Sequence, residues 1–130
     1  MLVLLENDEI GIKGFIVVTT NYVPGNKIVK VIGPTFGIIV RSRGIGGNIV
    51  AGLRGLVGGE INEYTVMLTE AREHAIQRMI ENAKKEGANA IVDMRFDSAD
   101  IGQVMTEVVA YGTGVVIEED QSKADAVSLR

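Results

Sequence analysis

"NEYTVMLTEAREHAIQRMIENAKKEGANAIVDMRFD", residues 62 to 97, changes its hydrophobic period partway along. Up to Gly87 the apolar residues return every three or four positions: Leu68, Ala71, Ala75, Met79 and Ala83 make one stripe, which Tyr64, Ile76 and Ile80 widen. Glu70, Glu73, Gln77, Glu81 and Lys84 crowd the opposite side, so the spacing predicts an amphipathic helix with one buried face. Glu81 and Lys85 stand in the favourable i,i+4 orientation, Lys84 and Lys85 suit the negative helix end, and Gly87 supplies a stop. Beyond it the period falls to two. Ala90, Val92, Met94 and Phe96 alternate with Asn89, Asp93, Arg95 and Asp97, the pattern of a strand with one buried face.

Working outward, "GFIVVTTNYVPGNKIVKVIG" holds two β-branched runs around Pro24-Gly25, a pair that favours a turn with glycine at the position needing positive φ. This predicts a strand near residues 15 to 20 and another from about 27. The second run continues through "GPTFGIIVRS", where Gly33-Pro34 and Gly37 predict a bent or bulged strand rather than a straight one. Downstream, "SADIG" reads as a connection, and "QVMTEVVAYGTGVVIEE" as a long last strand. From Val108 to Ile117 that strand is uncharged and apolar on both alternating faces. One helix covers one face, so the other needs a cover, and self-association is the economical way to supply it. The expected fold is α+β: a small antiparallel sheet packed on one long helix, with a short Gly-rich helix beside it.

The chain has 130 residues, 46% of them hydrophobic, which suits one domain with a real core. No uncharged stretch reaches the roughly 18 residues that a membrane helix needs. The opening "MLVLLENDEI" lacks the basic flank and small-residue cleavage site of a signal peptide, so the expectation is a soluble, cytoplasmic protein. There are no cysteines, which removes disulfides, thiolate metal sites and cysteine nucleophiles together. A net charge of -4 argues against general nucleic-acid binding. Its distribution is uneven, however: residues 15 to 59 carry Lys27, Lys30, Arg41, Arg43 and Arg54 and no acid at all.

Within that window lies "RGIGGNIVAGLRGLVGGE", residues 43 to 60, with seven glycines. It fails as a phosphate-binding loop, because Leu53 and Arg54 follow Gly52 where lysine and a hydroxyl are needed. It fails as a dinucleotide fingerprint, because Ile49 stands where a small residue should let a helix approach the sheet. Ile45, Ile49, Leu53, Leu56 and Val57 recur at helical spacing, while Gly52, Gly55 and Gly59 line a neighbouring face. Each interior glycine costs a helix roughly 0.5 to 1 kcal/mol, so the pattern predicts a bare helix face built for close approach by another segment or subunit. Arg41, Arg43, Gly46 and Gly47, at the mouth of this helix, are the candidates for holding an anion.

His74 is the only histidine, on the rim of the long helix with Glu70 at i-4 and Arg78 at i+4. One histidine without cysteine makes no single-chain transition-metal cage of the usual type; a symmetric ring could bring copies together. Asp93, Asp97, Asp100 and Glu107 straddle the expected last hairpin, a set of oxygens suited to a hard cation. His74, Asp97 and Asp100 are therefore the candidates for a divalent metal. Thr19, Thr20, Ser42 and Thr113 have no histidine at an informative spacing, so no nucleophilic reaction is specified and a non-enzymatic role is expected.

Several runs together resemble the YbjQ-like family, whose members are labelled as heavy-metal-binding domains. They are "IVVTT", "VIGPTFG", "GGNIV", "LVGG", the helix positions Tyr64, Leu68, Ala71-Arg72, Ala75 and Met79, "GANAIV" and "YGTGVVI". The resemblance spans residues 15 to 118, leaving 1 to 14 as an N-terminal extension and 119 to 130 as a flexible tail. It implies a dodecin-like β-α-β-β domain assembled into a symmetric ring, a homopentamer. No ligand residue follows from it.

Overall fold

In the computed structural model, which describes residues 2–5, 14–42 and 62–120, one helix packs on a five-stranded sheet. The elements are β1 (Leu2–Leu5), β2 (Phe15–Val18), β3 (Asn26–Ser42), α1 (Asn62–Lys85), β4 (Ala90–Ile101) and β5 (Met105–Glu119), and the strands lie in the order β1-β2-β4-β5-β3. The sheet is mixed rather than antiparallel as the sequence had suggested, because β2 and β4 run parallel. Parallel neighbours need a crossover, and β3 with α1 supplies it between them. The strand β1 falls in what the sequence marked as an extension; it pairs antiparallel with β2 from Leu2↔Val18 to Leu5↔Phe15. The predicted Gly-rich helix lies outside the described residues.

The long helix forms as its periodicity demands, burying Ala71, Ala75, Ile76, Met79, Ile80 and Ala83. At its end Gly87 takes φ 99°, Ala88 N donates to Ala83 O at 3.0 Å and Gly87 N to Lys84 O at 3.1 Å. These two bonds satisfy carbonyls that the helix leaves orphaned and turn the chain into β4. Pro24-Gly25 makes the expected turn, with Gly25 at φ 75° and Asn26 N bonded to Val23 O at 3.1 Å. The Asn89 side chain then acts as an extra strand residue: it donates to Ile117 O at 3.0 Å and accepts from Ile117 N at 2.7 Å.

Two apolar clusters sit on opposite faces of the sheet. Phe15, Val17, Ile39, Ile91, Met94, Val108 and Ala110 pack with α1. On the other face Val18, Ala90, Val92, Val115 and Ile117 are closed over by Val23, from the loop after β2. Thus Ala90 and Val92 do not share a face with Met94 and Phe96, as strict alternation had predicted. The cause is a bulge: Val92 pairs with Thr113 and Arg95 with Tyr111, so Asp93 and Met94 together oppose Gly112. Asp93 carries φ 54°, and this turns its N–H onto Thr20 O at 2.9 Å. One inserted residue reverses the strand's sidedness and lets β4 serve both cores. "SADIG", expected as a connection, is strand as far as Ile101, and the turn begins at Gly102 with φ 63°. The bent-strand expectation for β3 is met: it is one strand of 17 residues whose register with β5 shifts between Ile28 and Lys30 and between Val31 and Gly33.

Gly37 fixes how closely the helix lies. A Cβ there would overlap the Ala75 carbonyl oxygen and the Met79 amide nitrogen, both helix backbone. Gly37→Ala is therefore expected to lower stability by at least about 2 kcal/mol in denaturant unfolding, since backbone atoms cannot rotate out of the way. At the bulge, Asp93→Gly should leave stability within about 0.5 kcal/mol of the parent, whereas Asp93→Val should cost about 1–2 kcal/mol by the same measurement.

Candidate functional site

The rim between α1 and β3 is built by one helix stripe. His74, Arg78 and Asn82 follow at i, i+4 and i+8, and so project from the same flank of the helix. Because Gly37 lets the helix backbone lie against β3, these side chains reach the strand's free edge. Arg78 Nη1 donates to Ile38 O at 2.8 Å and Asn82 Nδ2 to Phe36 O at 2.8 Å. Arg41 Nη2 lies 2.9 Å from His74 Nδ1. From the core side, the Thr35 hydroxyl, 2% exposed, donates to Met79 O at 3.3 Å. A helix thus caps the carbonyls of an edge strand that would otherwise be open to another chain.

Guanidinium nitrogens only donate, so His74 Nδ1 is the acceptor in the Arg41 contact and the ring proton sits on Nε2. The structure brings two of the sequence-nominated residues, Arg41 and His74, together. Asp97 and Asp100 sit on β4 instead, where Asp97 Oδ1 accepts from Ser98 N at 2.9 Å and Asp100 Oδ1 from the Thr106 hydroxyl at 3.3 Å. Among the described residues no three His, Asp or Glu side chains converge as a metal site would require. Arg43, Gly46 and Gly47 lie outside the described residues. The sequence reading named Arg78 only as the i+4 neighbour of His74 and did not single out Asn82. Continuing the same four-residue step from His74 and Arg78 was the signal that could have singled out Asn82.

The sheet face away from α1 has a second character. Beyond the part closed by Val23, Phe36, Ile38 and Val40 of β3 and Tyr111 of β5 stand exposed, at 53%, 40%, 49% and 43%. Register places Phe36 beside Tyr111 and Tyr111 beside Arg95, so two aromatic rings and a guanidinium form one row across three strands. Arg95 Nη1 also donates to Thr19 O at 2.9 Å and Met94 O at 2.8 Å, which ties the loop carrying Val23 to the bulge.

Fold and rim together define an α+β protein with a mixed sheet on a single described helix, whose polar chemistry is a basic rim rather than a carboxylate or thiolate centre. A family model described as "Putative heavy-metal-binding" matches residues 15–118, and the chain belongs to this YbjQ family. A UPF0145 protein of Thermoplasma volcanium is 60% identical over 114 residues, 88% of this chain and 93% of that one. A UPF0145 protein of Bradyrhizobium sp. strain ORS 278 is 64% identical over 103 residues, 79% of this chain and 93% of its own. The fold is similar to that of a crystal structure from Pediococcus pentosaceus, a protein of unknown function in the DUF74 family. That likeness has TM-score 0.57 at 14% identity and covers 82% of this chain and 100% of that one. No described helix is long and apolar enough to cross a membrane.

If Arg78 and Asn82 protect the strand edge, removing both should do more than weaken the fold. Arg78→Ala with Asn82→Ala is expected to lower stability by about 1–2 kcal/mol and to lower the onset temperature of aggregation in a light-scattering melt. A melt that shows unchanged onset would mean that the edge is protected by other means.

Proposed function

We propose that this chain is a non-enzymatic, homo-oligomeric protein of the cytoplasm in which another copy covers the outer sheet face, with a binding or structural role. The observation that carries this reading is the exposed cluster of Phe36, Ile38, Val40 and Tyr111 on that face. A monomer rarely leaves a contiguous apolar patch of more than a few hundred Å² in water, and aromatic residues with arginine are the usual anchors of protein interfaces. Two features favour contact through the face over contact through the β3 edge: the helix side chains bonded to the Phe36 and Ile38 carbonyls, and the two register shifts between Ile28 and Lys30 and between Val31 and Gly33. The finer form of the proposal is the dodecin-like homopentameric ring implied by the family resemblance, with the Gly-rich segment as a helix pressed against a neighbour. The only histidine is engaged by Arg41, which supports a role without nucleophilic catalysis.

The test is the mass of the full chain in solution by multi-angle light scattering at micromolar concentration. The parent should be an oligomer, and Phe36→Glu or Tyr111→Glu should shift it to monomer while circular dichroism stays unchanged. A monodisperse parent monomer would overturn the proposal. The second reading, a metal-binding or metal-storage ring, draws on the family's description and on His74, Asp97 and Asp100 as candidates. Elemental analysis with calorimetry against zinc, copper, nickel and calcium decides it, and no uptake removes it. A third reading, an anionic small molecule held by Arg41, Arg43, Gly46 and Gly47, is probed by charge reversal at the two arginines with ligand-induced shifts as readout.

A further inference from the structure

The outer face of the sheet is divided by a step. Over one half, the loop after β2 closes on Val18, Ala90, Val92, Val115 and Ile117 through Val23. Over the other half, Phe36, Ile38, Val40 and Tyr111 stand exposed as an apolar shelf, and Arg95, paired with Tyr111, marks the boundary. The loop itself, "TTNYVPG" from Thr19 to Gly25, is braced along its length. Asp93 N donates to Thr20 O at 2.9 Å, Arg95 Nη1 to Thr19 O at 2.9 Å, the Thr20 hydroxyl to Tyr22 O at 2.7 Å and Asp120 N to Gly25 O at 3.0 Å. Val23 is turned into the sheet and 5% exposed, whereas its neighbour Tyr22 is 57% exposed. The face is thus a fixed ridge carrying an aromatic ring, beside an apolar shelf.

We propose that the ridge of one copy seats on the shelf of another, with Tyr22 as the anchor set against Phe36, Ile38 and Tyr111. This rests on the outer-face assembly proposed above and names the part of the partner that makes it. Sheets that pack directly on each other stand about 10 Å apart, with side chains alone filling the gap. The loop already occupies that gap over its own half of the face, so a second copy cannot lie flat across the whole of it. Two copies meet shelf to shelf only when slid apart by half a sheet, and both Tyr22 rings then stay in water. Ridge on shelf covers the shelf and the ring in one contact, and buried aromatic rings are the side chains that most often dominate an interface. Because the loop is braced by its own hydrogen bonds, little further ordering is needed when it docks. Its residues from Thr19 to Gly25 are uncharged, so it sets no like charge against Asp97 and Glu107, which flank the shelf by register. The Tyr22 hydroxyl is a donor of the kind that those carboxylates accept.

Tyr22 and Phe36 are both exposed, so Tyr22→Glu and Phe36→Glu alter the two sides of this contact without entering the core. In sedimentation velocity of the full chain at micromolar concentration, each variant alone is expected to associate at least about tenfold more weakly than the parent, with unchanged circular dichroism. Mixed in equal amounts, the two should associate again, because the Tyr22→Glu copy keeps an intact shelf and the Phe36→Glu copy an intact ridge. The absence of cysteine from the chain allows a second readout. Tyr22→Cys mixed with Ile38→Cys and oxidised in air with a copper catalyst should give a disulfide-linked dimer in higher yield than either variant alone. An oligomeric parent that is indifferent to Tyr22→Glu, or a mixture no better associated than its components, overturns this contact and leaves the outer-face assembly standing. A monomeric parent overturns both.

Discussion

The contact on which the rest of the structure depends is the approach of helix backbone to strand backbone at Gly37. A Cβ there would overlap helix backbone atoms, so any side chain would push α1 away from β3. The helix answers with small residues of its own: Ala71, Ala75 and Ala83 are all fully buried. From that closeness follow the Thr35 bond to Met79 O, the reach of Arg78 and Asn82 over the strand edge, and the meeting of Arg41 with His74. Dispersion falls off steeply with separation, so one glycine governs both the packing of this layer and the geometry of the basic rim.

Seen this way, the two sides of β3 divide the labour. Its helix-facing residues Thr35, Gly37 and Ile39 are buried, and the intervening Phe36, Ile38 and Val40 are exposed on the far face. The same three residues whose carbonyls or neighbours are held from the edge carry the apolar surface available to another copy. Protection of the edge and exposure of the face are thus consequences of a single strand register.

How much of this was legible beforehand depends on whether the physics is local. The helix, its stop at Gly87 and the Pro24-Gly25 turn were readable because each rests on residues within a turn or two of one another. The bent character of β3 was readable from Gly33 and Pro34. The bulge at Asp93 was not, because an aspartate in the polar phase of an alternating run looks the same whether or not the strand then changes sides. The parallel pairing of β2 with β4 was hidden as well, since nothing within either run marks a neighbour more than 70 residues away. For the rim, His74 and Arg41 were named separately, one as a metal candidate and one as an anion candidate. Their contact spans 33 positions of sequence, and it exists only through the closeness at Gly37.

The sidedness switch in β4 carries a consequence for length variation in this chain. Ordinarily, losing one residue from a strand slides its end along by one pairing. Losing one at Asp93–Met94 would instead leave Val92 opposite Thr113 and Arg95 opposite Tyr111, with a single residue facing Gly112, so the pairs and faces on both sides of the bulge would stay as they are. What such a loss would put at risk is the Asp93 N–H bond to Thr20 O, one tie between β4 and the loop that carries Val23. The bulge is thus the place in β4 where one residue can go without turning Arg95 and Asp97 toward α1.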